Sequence, residues 1–376
     1  MREPEVTLKR RIRLQILQAI GRLNPPRPLQ AEPKRILIIR PDHLGDLVLA
    51  APALSALWAA LPTTGLTAWL GPWGEPVWRH HPALDAIEVC PFPGFTRAPK
   101  PNPFAPYALA RREARSLAGR FDAALNLRFD FWWGAMTACW AGIPVLGYDV
   151  PECRPFLARS VPYQPGLHET DQNLLLVEAL AGAELAAVPA PPLFPEADLP
   201  EGAPPGAIVI HPGAGAEVKL WDEQRWAAVA SALAAEAPIV FTAGSAEEVA
   251  MAERIRASMS APTEVLSGLT LPQLAALYKR CRLVLAPDNG PLHVARAVGA
   301  PTVTLFGPTD PLLFGPRPES SARNEVIRLP WSCIPCRRLD YNPAELAYHL
   351  CVKLIEPEQV IEAARRVLAA RVPGPS

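Results

Sequence analysis

The segment Leu283-Val-Leu-Ala-Pro-Asp-Asn-Gly-Pro-Leu-His-Val-Ala-Arg-Ala-Val-Gly-Ala-Pro-Thr-Val-Thr-Leu-Phe-Gly-Pro-Thr-Asp-Pro311 constrains the fold more than any other stretch of the chain. It reads as an apolar run too short for a helix, a polar turn, a helix and a second apolar run. That is a strand–helix–strand unit. Strands joined by such a crossover run parallel, and a parallel sheet needs helices over both faces. The turn offers Asp288, Asn289, Gly290 and His293 at the carboxyl end of the first strand, beside free amides at a helix N-terminus. Open α/β sheets take anionic ligands at such places.

The same alternation recurs along the chain. Ile36–Ile39, Thr67–Leu70, Ile87–Cys90, Ala123–Leu127 and Val145–Gly147 form one series of strand candidates. Ala207–Ile210, Ile239–Thr242, Val265–Leu266, Leu283–Leu285, Thr302–Phe306 and Val326–Leu329 form a second. Between the series, residues 189–206 carry seven prolines and read as a linker. A chain of 376 residues with 49% hydrophobic content can build two full cores. The expected organisation is therefore a basic extension (1–34), a first Rossmann-like domain (35–188), the linker, a second Rossmann-like domain (207–355), and a closing helix and tail (356–376). The last helix is expected over Pro357–Ala370, with Val360, Ile361, Ala364, Val367 and Leu368 on one face.

Charge excludes some functions and localises others. The formal net charge is zero, which argues against a dedicated nucleic-acid binder. Residues 1–35 nevertheless hold nine Lys/Arg against three Glu. Within them, Val6, Leu8, Ile12, Ile16, Leu17, Ile20 and Leu23 fall roughly on one helical face. This helix could rest on an anionic membrane or pack on the body of the protein. The basic run Lys9–Arg13 interrupts any secretory signal pattern. The uncharged run Phe131–Tyr148 contains Gly134, Gly142, Pro144 and Gly147, so it reads as a buried helix, a turn and a strand rather than a membrane span. Seven cysteines, an odd number, suit a reducing compartment better than a disulfide scaffold. The expectation is a cytoplasmic protein.

Polar residues at the expected strand ends are the candidates for chemistry. After the first strand comes Arg40-Pro-Asp-His-Leu-Gly-Asp46, in which Gly45 permits a tight turn and Asp46 opens a helix. Asp46 could serve as a helix-dipole partner or as acceptor of a proton from a substrate hydroxyl, with Asp42 and His43 as competitors. The second series opens with His211-Pro-Gly-Ala-Gly-Ala-Glu-Val-Lys219. Gly213 and Gly215 would let amides approach a phosphate, and Lys219 would supply a mobile positive charge or simply be solvated. The turn is neither a P-loop nor a full dinucleotide fingerprint. Gly244 and Ser245 end the next strand, and Glu247 or Glu248 could meet a ribose or base, or only favour a helix N-terminus.

Taken together and in order, these segments resemble glycosyltransferase family 9, the lipopolysaccharide heptosyltransferase family. The resemblance rests on Arg40-x-x-x-x-Gly45-Asp46, His211-Pro-Gly-Ala-Gly215 with Lys219-Leu-Trp221, Gly244-Ser-Ala-Glu-Glu248, Asp288-Asn-Gly-Pro-Leu-His293 and Leu305-Phe-Gly-Pro-Thr-Asp310. It implies a GT-B fold, α/β, with two Rossmann-like parallel-sheet domains facing across a cleft. It further implies an inverting reaction without metal or other cofactor, moving a heptose-like sugar from an ADP-heptose-like donor to a lipid-linked or cell-surface glycan. Asp46 would be the general base and Lys219 would face the diphosphate. His211, Gly213, Gly215, Gly244, Glu248, Asp288, Asn289, Gly290 and His293 would hold the donor. Asn289 stands where family members often carry Thr or Ser.

On the acceptor side, Arg40 and His43 join Arg128 and Asp130 of Leu127-Arg-Phe-Asp-Phe-Trp-Trp133, although such aromatics also suit a core. His168-Glu-Thr-Asp171 reads as a helix cap. Cys333, Cys336, Cys351 and His349 have the composition of a Cys₃His zinc site, against packing or redox-sensitive thiols. A non-catalytic sugar-nucleotide-binding module is the alternative. A Rossmann oxidoreductase is disfavoured, because Arg40–Asp46 stands where a Gly-x-Gly-x-x-Gly turn would be needed.

Overall fold

The computed structural model describes residues 8–96, 102, 104–185, 192–317 and 323–370. The chain divides into two compact units, Met1–His43 with Ala50–Pro191 and Leu44–Leu49 with Pro192–Ser376.

The first unit carries β1 (Arg35–Arg40), β2 (Gly65–Leu70), β3 (Ala86–Val89), β4 (Ala123–Asn126), β5 (Val145–Tyr148) and β6 (Arg159–Val161). All pairings are parallel, in the order β3-β2-β1-β4-β5-β6. Strand β1 lies at the centre, with Ile38 beside Ala68 on one side and Leu125 on the other. Ile36, Leu37, Ile38 and Ile39 are fully buried, so the continuous apolar run reflects a strand covered on both faces. Beneath it, Trp69, Phe92, Phe131 and Trp133 pack as an aromatic cluster, with Trp69 and Phe92 edge to face at 4.9 Å.

The second unit carries β7 (Ile208–Ile210), β8 (Ile239–Ala243), β9 (Thr263–Ser267), β10 (Leu283–Pro287), β11 (Thr302–Leu305) and β12 (Asn324–Ile327). Their order is β12-β11-β10-β7-β8-β9, again all parallel. Counted from its own first strand, this is the 3-2-1-4-5-6 order of the first sheet and of dinucleotide-binding folds. The closing helix Pro357–Ala369 buries Val360, Ala363, Ala364 and Val367 in this core. Trp221 anchors its entry, donating from Nε1 to Ile355 O at 3.0 Å.

Two readings of the sequence change, and one holds. Strand β6 had no apolar signature, because Arg159 and Ser160 are exposed and the strand exists only by pairing with β5. The Phe131–Tyr148 run does form a buried helix, Trp132–Trp140, followed by β5. The N-terminal helix spans Leu8–Leu23 and does not use its apolar residues as one face. Leu17 is fully buried, whereas Leu8, Ile12, Ile16 and Leu23 are exposed by 73, 48, 48 and 81%. Gly21 explains the choice of side, since a Cβ there would stand 2.6 Å from Pro155 Cβ. The helix is pressed onto Pro155 along the Leu17–Gly21 edge, and Arg10 donates to Glu152 at 2.7 Å. Val6 and the prolines 189 and 191 lie outside the described residues, while 192–206 form neither helix nor strand.

Candidate functional site

In a sheet of this order the chain reverses direction across the central strand pair, and loops there part to leave a crevice at the carboxyl ends. In the first unit that pair is β1 and β4; in the second it is β7 and β10. The sequence candidates Arg40–Asp46, Arg128–Asp130, His211–Gly215 and Asp288–His293 follow these four strands.

In the second unit, Asn289 and Asp288 organise the turn after β10. Asn289 Oδ1 accepts from Leu292 N at 2.9 Å and caps the helix Gly290–Ala297. Its Nδ2 donates to Gly213 O at 2.7 Å, tying this turn to the glycine loop after β7. Asp288 is 5% exposed, and its Oδ2 receives both Lys219 Nζ and Thr309 Oγ1 at 2.7 Å. Burial pushes this carboxyl up, but the His293 ring and the Lys219 ammonium outweigh it and hold the group below the usual carboxylate range. His293 Nε2 lies 3.6 Å from Asp288 Oδ1, and burial lowers the ring's pKa against the pull of that carboxylate. Among the described residues, its buried Nδ1 finds no hydrogen-bond partner.

Lys219 is thus not the solvated, mobile charge its position suggested. It is fixed by an ion pair spanning sixty-nine residues of sequence, with its side chain 13% exposed. Thr309 is a contributor the sequence reading placed in a motif without giving it a role. Only a tertiary contact reveals it.

A second cluster adjoins the glycine loop. Glu248 Oε2 accepts from Gly244 N at 2.7 Å and lies 3.6 Å from His211 Nε2. The His211 ring beside it lowers the Glu248 pKa more than burial raises it. His211 Nδ1 pairs with Thr242 Oγ1 at 3.1 Å. Gly213 is needed for a steric reason, since a Cβ there would stand 2.3 Å from Glu248 Oε1. Gly215 meets nothing within 4 Å and has no such constraint. Glu247 lies exposed in the first helical turn.

In the first unit, Arg40 is 2% exposed and fully engaged. Its guanidinium pairs with Asp42 and Glu169, each at 2.7 Å, and donates to Leu127 O at 2.9 Å and Asn173 Oδ1 at 3.0 Å. It therefore positions the loops after β1 and β4 and is not open to a ligand. The capping segment His168–Asp171 does cap its helix, His168 accepting from Thr170 N, and it also supplies Glu169 to this network.

Arg128 joins Asp42 to Asp130; the two carboxylates raise its pKa against the effect of burial. Trp73 holds the post-β1 loop from outside, donating to Asp42 O at 2.9 Å. His43 is exposed, its ring 5.2 Å from that of Trp73. Asp46, in the Leu44–Leu49 segment that groups with the second unit, occupies the first turn of the helix Leu44–Ala60 and is half-buried.

The aromatic run after Arg128 serves core and pocket together. Phe131 and Trp133 are buried, and both join Trp132 in lining a cavity of about 410 Å³. Arg13, Phe95, Tyr107, Arg128 and Asp130 also line that cavity.

The cysteine segment does not assemble the Cys₃His set that its composition allowed. Cys333 and Cys336 are exposed, Cys336 lies 3.4 Å from Tyr341 Oη, and His349 stacks on Tyr341 at 3.7 Å. Cys351 is buried beside Gly307. Among the described residues, no three His, Cys, Asp or Glu side chains form a group that could hold a metal ion.

Two Rossmann-ordered parallel sheets, each with its polar turns gathered at the strand reversal, make up the α/β architecture of the GT-B type. The model of glycosyltransferase family 9 (heptosyltransferase) matches residues 110–342, and the chain belongs to this family.

Among curated relatives, it is 29% identical over 164 residues to lipooligosaccharide heptosyltransferase 2 of Campylobacter jejuni, a match covering 42% of this chain and 50% of that protein. It thus spans about half the length of that relative. It is 26% identical to lipopolysaccharide heptosyltransferase 2 of Escherichia coli, over 89% of this chain and 98% of that one. The solved structure of E. coli ADP-heptose lipopolysaccharide heptosyltransferase II superposes with a TM-score of 0.65 at 22% identity, over 89% of this chain and 98% of the other.

Proposed function

We propose that the protein transfers a heptose-like sugar from a nucleoside-diphosphate donor of the ADP-heptose kind to a lipid-linked or cell-surface glycan. The proposed reaction inverts the anomeric centre and uses no metal. The second unit holds the donor. The observation that carries this reading is the turn Asp288–His293, buttressed by Lys219 and Thr309 and tied through Asn289 to the Gly213 loop. This arrangement keeps backbone amides and a cation fixed where a diphosphate develops charge on leaving. Preorganised donors of that kind do not need to reorganise during reaction.

The acceptor belongs to the first unit. Asp46 takes the proton of the acceptor hydroxyl as its oxygen bonds to the anomeric carbon, and the bond to the diphosphate breaks on the opposite side. General-base help of this sort contributes roughly 10²–10⁴-fold. The cavity lined by Arg128, Asp130, Tyr107 and Trp132 suits part of a sugar chain, with aromatic faces for ring C–H groups and charged edges for hydroxyls. Arg40 acts through Asp42 and Arg128 as a positioning residue, and His43 stands beside the acceptor hydroxyl. The work is placed in the cytoplasm, with peripheral contact at the inner membrane face and no nucleic-acid partner. Among the described residues no helix is long and apolar enough to cross a membrane.

The test pairs Asp46→Asn with a thermal-shift series of ADP, UDP and GDP. The expected result is stabilisation by ADP in both proteins and turnover of an ADP-linked sugar only in the wild type. A tight ligand adds about 2.7 kcal/mol at a hundredfold excess over its dissociation constant. Near-normal turnover by Asp46→Asn would move the base to Asp42 or His43. Stabilisation by UDP or GDP alone would overturn the donor assignment. Nucleotide binding without turnover in the wild type would favour a non-catalytic binding module.

A further inference from the structure

The N-terminal helix Leu8–Leu23 presents two different surfaces. One is spent on the body of the first unit: Leu17 and Gly21 press on Pro155, and Arg10 and Arg13 reach Glu152 at 2.7 and 3.5 Å. At 3.6 residues per turn, Leu8, Ile12, Ile16 and Leu23 fall within an arc of about 80° on the opposite side. These are four of the most exposed large apolar side chains among the described residues. Arg11 and Arg22 flank the stripe on one edge and Lys9 on the other, all exposed. The helix contains no acidic residue. Next to Arg22 lies a shallow cavity of about 340 Å³, lined by Gln18, Arg22, Pro151, Arg154 and Pro155. Two arginines thus line one depression, Arg154 being also paired with Asp149 at 2.5 Å.

We propose that this face is a docking site for an anionic phospholipid bilayer, with the stripe entering the acyl boundary and the Arg22–Arg154 depression seating a phosphate headgroup. An apolar stripe bordered by cations is the pattern of helices that lie in a membrane interface. The charge complement selects an anionic lipid over an apolar protein surface. The Glu152 pairs and the Gly21 contact fix the helix on its inner side, so the stripe is held outward without a folding step.

The placement also serves the reaction. Arg13, next to Ile12, lines the cavity assigned above to the acceptor glycan. Docking through Ile12 and Ile16 of the same helix therefore keeps that cavity a helix diameter, roughly 10–12 Å, from the surface in which a lipid-linked acceptor is embedded. This benefit rests on the proposed acceptor; the docking itself is read without turnover, so the two readings can fail separately.

The test is flotation of the full chain with vesicles of phosphatidylcholine alone and of phosphatidylcholine mixed with phosphatidylglycerol. Binding is expected to the mixed vesicles, weakening as salt rises. Ile12→Asp combined with Ile16→Asp should abolish it at an unchanged Tm, because both side chains are already exposed. Arg22→Ala should weaken it about fivefold, the usual effect of one basic residue at an anionic surface. Absence of wild-type binding, equal binding to both vesicle types, or binding unaffected by the double aspartate variant would each overturn the proposal. So would sedimentation showing a dimer that dissociates in that variant without vesicle binding, since the stripe would then cover a second copy.

Discussion

Replacing Lys219 by Met probes the turn after β10 most directly. The substitution keeps the length of the apolar stem and removes the ammonium 2.7 Å from Asp288 Oδ2. Both side chains are largely buried, at 13 and 6% exposure, so solvent screens the pair weakly. Removing one partner of a buried pair costs about 3–5 kcal/mol, chiefly because the other charge is left uncompensated. Thr309 still donates to the same oxygen, which places the cost near the lower end, at about 3 kcal/mol.

The pH dependence supplies a signature. In the wild type the Asp288 carboxyl is depressed, so its contribution is present above about pH 4, the unfolded carboxylate value, and is lost as pH falls through the folded value. Without Lys219, His293 and Thr309 still oppose burial, so the folded pKa rises toward the unfolded one. Less of the depression is then left to lose, and the variant's deficit shrinks as pH falls below about 4. Urea titrations at several pH values, with calorimetry to separate the transitions of the two units, measure both effects. A deficit under about 1 kcal/mol, as for an exposed pair, would refute the reasoning. So would a deficit independent of pH, or a Lys219→Met/Asp288→Asn double variant whose losses simply add.

Other consequences follow from single contacts. Gly213→Ala must displace the Glu248 carboxylate, 2.3 Å from the new Cβ, and costs about 1.5 kcal/mol through the bond to Gly244 N. If Glu248 serves the nucleotide, ADP-induced thermal stabilisation should fall with it; an unchanged shift would remove Glu248 from the donor site. Gly21→Ala drives a methyl into Pro155, including its backbone oxygen at 2.7 Å, and should cost about 1–3 kcal/mol. Faster tryptic cleavage at Arg11 and Arg13 would report the loosened helix, and wild-type resistance would contradict the packing described. Elemental analysis of the purified protein should find no stoichiometric zinc or iron, because Cys336 faces Tyr341 and Cys351 is buried beside Gly307. One metal per chain would show that the segment rearranges to bind it.

The alternation of strands and helices was legible because buried parallel strands demand short, continuous apolar runs, and such runs are local. Candidate positions at the strand ends were legible for a related reason: a turn that brings backbone to a ligand needs glycine, and polar side chains stand out against buried flanks. The edge strand β6 escaped notice because an edge strand is defined by its neighbour, and two of its three residues face solvent. The N-terminal helix misled in another way. Periodicity finds an apolar arc but not which part of it meets protein, and here Gly21 and Glu152 decided that.

By itself, then, the sequence determined that the chain folds as two parallel α/β units and where along it polar groups could collect. Only the tertiary structure decided which groups are free. Lys219 is bound to Asp288 across sixty-nine residues, and Arg40 is enclosed by Asp42, Glu169 and Asn173. The physical reason is that strand and turn propensities act within a few residues. The state of a buried charge is set by whichever partner the fold brings within about 4 Å, wherever in the chain it lies.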